Sequence, residues 1–338
     1  MHKTELFRPS TALRQAGCAL AALSLAWAVP ALADTPAPAD QGASTAMPAD
    51  SAPDSTPGTD PNLIRDGGAR LLLTGGVSTI EGAGGGGLVP WALIGGYGAQ
   101  HEVGLQAFAT GVSTQDFRLY AYGASANFGD RIEVSLARQN FHLRALAGAL
   151  GLGSDYTISQ TIIGAKVRLI GNAVLDQNTL LPQISIGAEH KINDDTTVVG
   201  GALGLKRADT DFYLAATKLF LGQNLLLNGT VRLTRANQYG ILGFGGLGHT
   251  DMAYKAEFEG SAAYLITRKL AVGGEVRTKP NQLEGALGGT TFKEQAAWDG
   301  FVAYAVDRHL SVTAAYADLG QIALRGQHAA YLSVQVGF

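Results

Sequence analysis

The sequence predicts an all-β protein: a transmembrane, antiparallel, up-and-down β-barrel of about 14 strands, with 12 and 16 as the even alternatives. Three observations predict it. An export address stands at the N-terminus, segments of about ten residues alternate apolar and polar side chains from Ala69 onward, and the chain ends on an aromatic residue, Phe338, at the close of one such segment.

The address comes first. His2, Lys3, Arg8 and Arg14 form a positive n-region, Ala19 to Val29 an apolar h-region, and Ala31-Leu32-Ala33 a small-residue cleavage site before Asp34. The apolar run is too short to span a bilayer as an uncleaved anchor. The only cysteine, Cys18, precedes that run rather than following it, which argues against lipoprotein attachment and leaves the mature chain without disulfides or thiol ligands. Residues 34 to 61 are Pro, Ala, Ser, Thr and Asp with almost no large apolar side chain, so they cannot bury enough surface to offset their ordering entropy. The expected organisation is a signal peptide over 1–33, a disordered periplasmic linker over 34–68 and a barrel over 69–338.

Composition excludes several classes. Charged residues make up 16% of the chain and no other run is apolar and long enough for a membrane helix, so any spanning structure must be built of strands. Beyond residue 61 the chain carries 22 basic and 22 acidic groups, without the basic excess of a nucleic-acid binder.

The expected strands are 69–79, 88–99, 102–113, 116–128, 131–143, 157–170, 180–191, 210–221, 225–236, 252–266, 270–283, 295–306, 310–319 and 326–338. Residues 193 to 209 are open between a further strand and a loop with a short helical turn, and 69 to 79 between a wall strand and an internal plug. The last segment alternates most clearly: Ala330, Leu332, Val334, Val336 and Phe338 share one face, Tyr331, Ser333 and Gln335 the other. It resembles the C-terminal signal read by the outer-membrane assembly machinery, with Phe338 as its terminal aromatic. Residues 253 to 266 set Tyr254, Ala256, Phe258, Ala262 and Tyr264 against Lys255, Glu257, Glu259 and Ser261. Apolar rows facing lipid and polar rows facing a lumen satisfy both solvents. Tight connections, such as Gly129-Asp130 and Arg268-Lys269, alternate with long ones at 144–156, 237–251 and 284–294.

Together, the segments LLLTGGVSTIEGAGGGGLVPWALIGGYG (71–98), DRIEVSLARQNF (130–141), LLPQISIGAEHK (180–191), DFYLAATKLFL (211–221), LLLNGTVRLTRANQYGILGFGG (225–246) and SVTAAYADLG (311–320) resemble a proteobacterial outer-membrane family known only as a domain of unknown function. The resemblance implies a β-barrel and brings no activity or catalytic residue with it.

Residues 81 to 87 contain a formal G-x-G-x-x-G at Gly82, Gly84 and Gly87. Pro90 and the strand-like stretch after it deny the helix that a dinucleotide site needs, so a flexible loop is expected. His101, His142, His190, His249, His309 and His328 show no metal spacing; His249 and Asp251 come nearest. Ser135, Ser261 and Ser333 fall on polar rows rather than on the lipid side where an acyl hydrolase would need its nucleophile, so no enzyme, cofactor or metal is expected.

The candidate functional residues are therefore the ionisable groups on inward rows: Glu133, Lys166, Arg168, Glu189, Arg232, Lys255, Glu257, Glu259, Glu275, Arg277 and Lys279. Such groups at membrane depth are costly unless they line water or pair. Two functions follow, a channel or transporter for small solutes and a structural or assembly barrel whose charges pair across a closed lumen. The expected partners are outer-membrane lipids and lipopolysaccharide, the assembly machinery through the C-terminal strand, and small solutes.

Overall fold

The computed structural model describes residues 73, 75, 77–98, 102–144, 147–148, 151–286 and 288–338. The signal peptide and linker expected over 1–33 and 34–68 lie outside the described residues.

Twelve strands close into one antiparallel barrel. They are β1 (Val103–Thr114), β2 (Arg118–Phe128), β3 (Ile132–His142), β4 (Thr157–Ile170), β5 (Gln183–Asn193), β6 (Ala208–Phe220), β7 (Leu225–Thr234), β8 (Lys255–Leu265), β9 (Leu270–Arg277), β10 (Ala297–Ala305), β11 (Leu310–Ile322) and β12 (Arg325–Gly337). Each pairs with its neighbours in the chain, and β12 returns to β1 in a register running from Gln106↔Gly337 to Thr114↔Ala329. Phe338 extends that seam, because its N–H donates to the Leu105 carbonyl and its own carbonyl accepts from the Leu105 N–H, both at 2.8 Å. Its ring stays on the outside, stacked on His309 at 5.0 Å. Closure leaves no strand edge unpaired, as a bilayer requires.

The side-chain period of two dictates which face each residue takes. On β7, Leu227, Val231 and Leu233 are exposed while Asn228, Thr230, Arg232 and Thr234 are buried. On β12, Leu332 and Val334 face out, and Tyr331, Ser333 and Gln335 face in. The strands turn a largely apolar row outward in this way, while the inward rows carry polar and apolar residues together. Aromatic rings collect on the outside near both strand ends: Tyr120, Phe212, Trp298 and Tyr316 toward one, Phe128, Tyr264, Tyr304 and Phe338 toward the other.

The two ends of the barrel differ. Four short connections, between β2 and β3, β6 and β7, β8 and β9, and β10 and β11, share one end with the start of β1 and the end of β12. We call this the turn end; residues 171–182 are its one long connection. The opposite, loop end carries 143–156, 194–207, 235–254 and 278–296, together with two tight connections. Residues 193–209 resolve as the close of β5, a short π-helical turn (Val198–Ala202) and the beginning of β6.

The strand count corrects the sequence reading from about 14 to 12. Of the two surplus segments, 69–79 and 88–99, the described residues, 73, 75, 77–79 and 88–98, are in none of the twelve strands. Residues 77–98 instead run through the interior, with only isolated bridges at Ser78↔Gly84 and Gly85↔Pro90. Leu88, Val89, Trp91, Ala92, Leu93 and Ile94 are all buried. Such a run has apolar side chains on both faces and no polar row to give a lumen, so it suits an environment that covers it on every side.

Leu136 stands mid-strand on β3, 55% exposed and opposite Ile163 of β4. Leu136→Arg should destabilise the barrel by about 2–4 kcal/mol if it faces the bilayer midplane. Urea titration in lipid vesicles measures this, and a variant as stable as the wild type would show that the face is not in contact with hydrocarbon.

Candidate functional site

The interior is filled, first by residues 77–98. This plug is held by side chains projecting from the wall onto its backbone. Glu133 of β3 accepts from the amides of Gly84 at 3.0 Å and Gly95 at 2.5 Å. Lys166 of β4 donates to the carbonyls of Gly84 and Leu93 and pairs with Glu133 at 3.1 Å. Gln183 and Ser185 of β5 both donate to the Ala92 carbonyl, and Thr217 of β6 accepts from its amide. Thr230 of β7 reaches the Pro90 carbonyl, Ser261 of β8 accepts from the Trp91 indole, and Glu275 of β9 accepts from the Leu88 amide. Strands β3 to β9 thus all hold the segment.

Glycine permits this proximity. A Cβ on Gly86 would stand 1.8 Å from Glu275 Oε1, and one on Gly84 would stand 2.9 Å from Glu133 Oε2. The glycine-rich stretch 81–87 is therefore a buried turn with its amides offered to carboxylates, which corrects its reading as a flexible loop.

At the tip of the plug, Glu81 enters a cluster of seven buried ionisable groups. Its carboxylate takes Lys191 on one oxygen and Arg277 on the other, the latter at 2.6 Å, with Arg232 at 3.7 Å. Arg232 also pairs with Glu189 at 2.7 Å and Glu259 at 2.5 Å, Arg277 with Glu259 at 3.2 Å, and Lys191 with Asp211 at 2.7 Å. Four carboxylates face three cations. The guanidinium of Arg277 lies over the Tyr239 ring at 4.3 Å and that of Arg232 over Tyr213 at 5.2 Å, which adds cation–π attraction.

Tyr239 comes from the other end. The 235–254 connection folds inward from the loop end, and Asn237 to Gly240 are buried. Gln238 and Tyr239 hold left-handed backbone at φ 45° and 63°, a strained arrangement for side chains with a Cβ. It is held by Gln160 donating to the Tyr239 carbonyl, by Asn193 donating to those of Gly240 and Ile241, and by Gln238 donating to Glu294. Lys279 closes this outer set by pairing with Glu294 at 3.0 Å. Plug tip, wall cluster and inward loop meet at mid-lumen.

A family description printed as "Protein of unknown function (DUF3034)" matches residues 74–335. The chain belongs to this family. The match takes in both the plug and nearly the whole wall. No curated protein matches. Among solved structures, the chain is similar to the KdgM porin, with a TM-score of 0.44 and 11% identity over 69% of this chain and 99% of that one. It is similar to the NanC porin at 0.45 and 10%, over 69% and 98%. It is also similar to outer membrane phospholipase A from Escherichia coli at 0.39 and 10%, over 71% and 94%.

The eleven inward candidates fall into four sets. Glu189, Arg232, Glu259 and Arg277 belong to the central cluster, Glu133, Lys166 and Glu275 seat the plug, and Lys279 holds the inward loop. The other three are apart from these. Arg168 pairs with Asp130 at 2.8 Å near the turn end, Lys255 pairs with Asp251 in the 235–254 connection, and Glu257 accepts from Thr278. Sequence reasoning missed Glu81, Lys191 and Asp211. Lys191 and Asp211 were legible in principle, since Lys191 shares the parity of Glu189 and Asp211 stands opposite Glu189 in the register. Glu81 carried no signal, because nothing local places a lone carboxylate of a glycine-rich stretch among three cations.

Glu81, Glu189 and Asp211 each offer an oxygen within 4.8 Å of the others, which is metal-like spacing. The Lys191 ammonium already stands among them, at 2.7 Å from Asp211 and 3.9 Å from Glu189. His249 and Asp251 lie exposed in the 235–254 connection, and Asp251 is paired with Lys255. Ser261 bonds Trp91 and Glu275, and Ser333 bonds Thr110 and Gln335. Outside the wall, Arg325 hydrogen-bonds Asp116 in the β1–β2 connection and holds its carboxyl below the usual aspartate range.

Removing one member of a buried ionic set leaves its partners uncompensated, at a cost of about 3–5 kcal/mol. Glu81→Ala should lower barrel stability by that order and free the plug tip, whereas Arg325→Ala, which removes the exposed partner of Asp116, should change it by less than about 1 kcal/mol. Urea titration followed by heat-modifiable migration on gels compares the two. Equal stability of Glu81→Ala and wild type would contradict the pairing described.

Proposed function

We propose that this chain is a bacterial outer-membrane barrel closed at rest by its own N-terminal segment, and that it passes small solutes only when that segment leaves its seat. The observation that carries this reading is the mode of attachment. Residues 77–98 are joined to the wall by side-chain hydrogen bonds and ion pairs, not by a main-chain ladder, so the plug can be withdrawn without breaking the barrel. The membrane assignment is supported by the apolar outer face, the polar interior and the two rings of external aromatics. Short turns at one end favour a periplasmic turn end and an external loop end. Lipid and lipopolysaccharide would surround the apolar belt, and the assembly machinery would read β12 and Phe338.

A structural barrel with a permanently closed lumen is the second reading. It is favoured by the central cluster and by the inward loop, which closes the lumen a second time from the loop end.

Planar-bilayer recording separates the two. The wild type should be nearly silent, and deletion of residues 77–98 should raise open-channel current at least about tenfold while folded migration persists. A folded deletion variant that stays silent would reject transport and leave the structural barrel. Separately, deleting Phe338 should reduce membrane assembly several-fold with export unaffected, as measured by fractionation and heat-modifiable migration; normal assembly would remove the proposed role of the terminal aromatic.

A further inference from the structure

The interior changes character above the ionic cluster. Toward the turn end the inward rows mix polar and charged groups with Leu226, Ala263, Ala271 and Ala303, but toward the loop end of the first four strands they become apolar: Val112 on β1, Leu119 on β2, Phe141 on β3 and Ile158 on β4 all point inward and are buried. These residues meet apolar side chains from every one of the six loop-end connections. Phe117, Leu143 with Leu152, Val198 with Leu203, Leu242, Phe292 and Ala323 each come from a different one. Between them lies a cavity of about 280 Å³ with Thr197 as its single polar lining residue. An apolar cavity of about 150 Å³ stays dry and takes up benzene, so this one has room for a larger hydrocarbon.

A second, inner lobe of about 50 Å³ adjoins it, sharing Phe117, Phe141, Leu242 and Ile322. Its lining reaches down to Ile80 and Leu88 of the plug and includes Asp299 and Tyr239. Both are buried, and both leave a polar atom, Asp299 Oδ1 and Tyr239 Oη, without a hydrogen-bond partner among the described residues. Tyr331 Oη, on the same lining, is the third such atom. Buried polar atoms are nearly always satisfied, so three orphans lining one lobe mark where a ligand's polar end would bind. The Asp299 oxygen asks for a donor, and the phenol proton asks for an acceptor. A hydroxyl is both at once. An ammonium offers only donors and leaves the phenol unmatched, and a carboxylate ligand would crowd a third carboxyl group against Asp299 and its register neighbour Glu275.

We propose that the loop-end cavity binds a neutral, mainly hydrocarbon molecule ending in a single hydroxyl, with its body among the loop-end side chains and its hydroxyl in the inner lobe at Asp299 and Tyr239. This names a substrate class for the barrel proposed above and rests on that reading for passage only. Binding itself needs no movement of the plug.

The test uses the intact wild-type barrel in lipid nanodiscs, with 1-naphthol as the probe, naphthalene, 1-naphthylmethylamine (an ammonium at neutral pH) and 1-naphthoate as competitors, and protein-free nanodiscs to measure partition into lipid. Equilibrium dialysis should show one saturable 1-naphthol site per barrel. Asp299→Leu should weaken 1-naphthol about tenfold, the scale of one lost hydrogen bond, while leaving naphthalene unchanged. Leu242→Trp, which fills the cavity, should abolish both. Ala202→Phe fills it from another connection and serves if Leu242→Trp loses heat-modifiable migration. Uptake equal to protein-free discs, uptake unaffected by either filling variant, or tighter binding of the amine or carboxylate than of the alcohol would overturn the proposal. A silent plug-deletion variant that still binds 1-naphthol would sink transport alone, and a conducting one that does not bind would sink the ligand site alone.

Discussion

The carboxylate of Glu81 is where the wall, the plug and, through the rings and carbonyls around it, the inward loop are tied together. One oxygen is held by Lys191 and the other by Arg277, with Arg232 close behind. The three cations come from three different strands and would repel one another without it. Conversely, a carboxylate in that position without cations would not be buried as a charge at all. The cluster therefore contributes register and specificity more than net stability, since the desolvation of seven ionisable groups offsets much of their attraction. It specifies how deep the plug sits and which face of it meets β5, β7 and β9.

The rest of the plug follows from the geometry of a lumen this size. Twelve strands enclose more space than their own inward side chains fill, and the remainder must hold water, ligand or chain. Here chain fills the turn-end part. Backbone at such close quarters needs its amides and carbonyls matched, and the wall supplies the partners: Glu133 for two amides, Lys166 for two carbonyls, and Gln183 with Ser185 for a third. Glycine at 84 and 86 brings the main chain near enough for carboxylates to reach it. Toward the loop end, beyond the carbonyls that Gln160 and Asn193 match, apolar side chains with three unpartnered polar atoms take over.

This layering also explains why the candidate residues read from sequence fall into groups with different work. Parity along a strand assigns a side chain to the inside and nothing more. Glu257 and Glu259 share a row, yet Glu259 binds two guanidinium groups while Glu257 accepts from Thr278. Depth along the strand, and the segment standing opposite, make the difference.

What the sequence by itself determined is the wall. The alternation on β7, β8 and β12, the tight turns at Gly129-Asp130 and Arg268-Lys269, and the inward placement of Arg232 or Glu275 are local consequences of a two-residue period, and every one is legible without coordinates. What only the tertiary structure decided is the contents of the barrel. Residues 88–99 read as a strand because apolar β-forming residues look alike whether they pair in a wall or pack inside it. Their uniform apolarity and Pro90 were the only departures from the pattern. Glu81 and Tyr239 reach the same point from segments far apart in the chain, through a closure that no local periodicity encodes, and the cavity above them exists only because six separate connections converge on one end. Period-two patterning acts between adjacent residues, whereas filling a lumen depends on which distant segments the closed ring brings together.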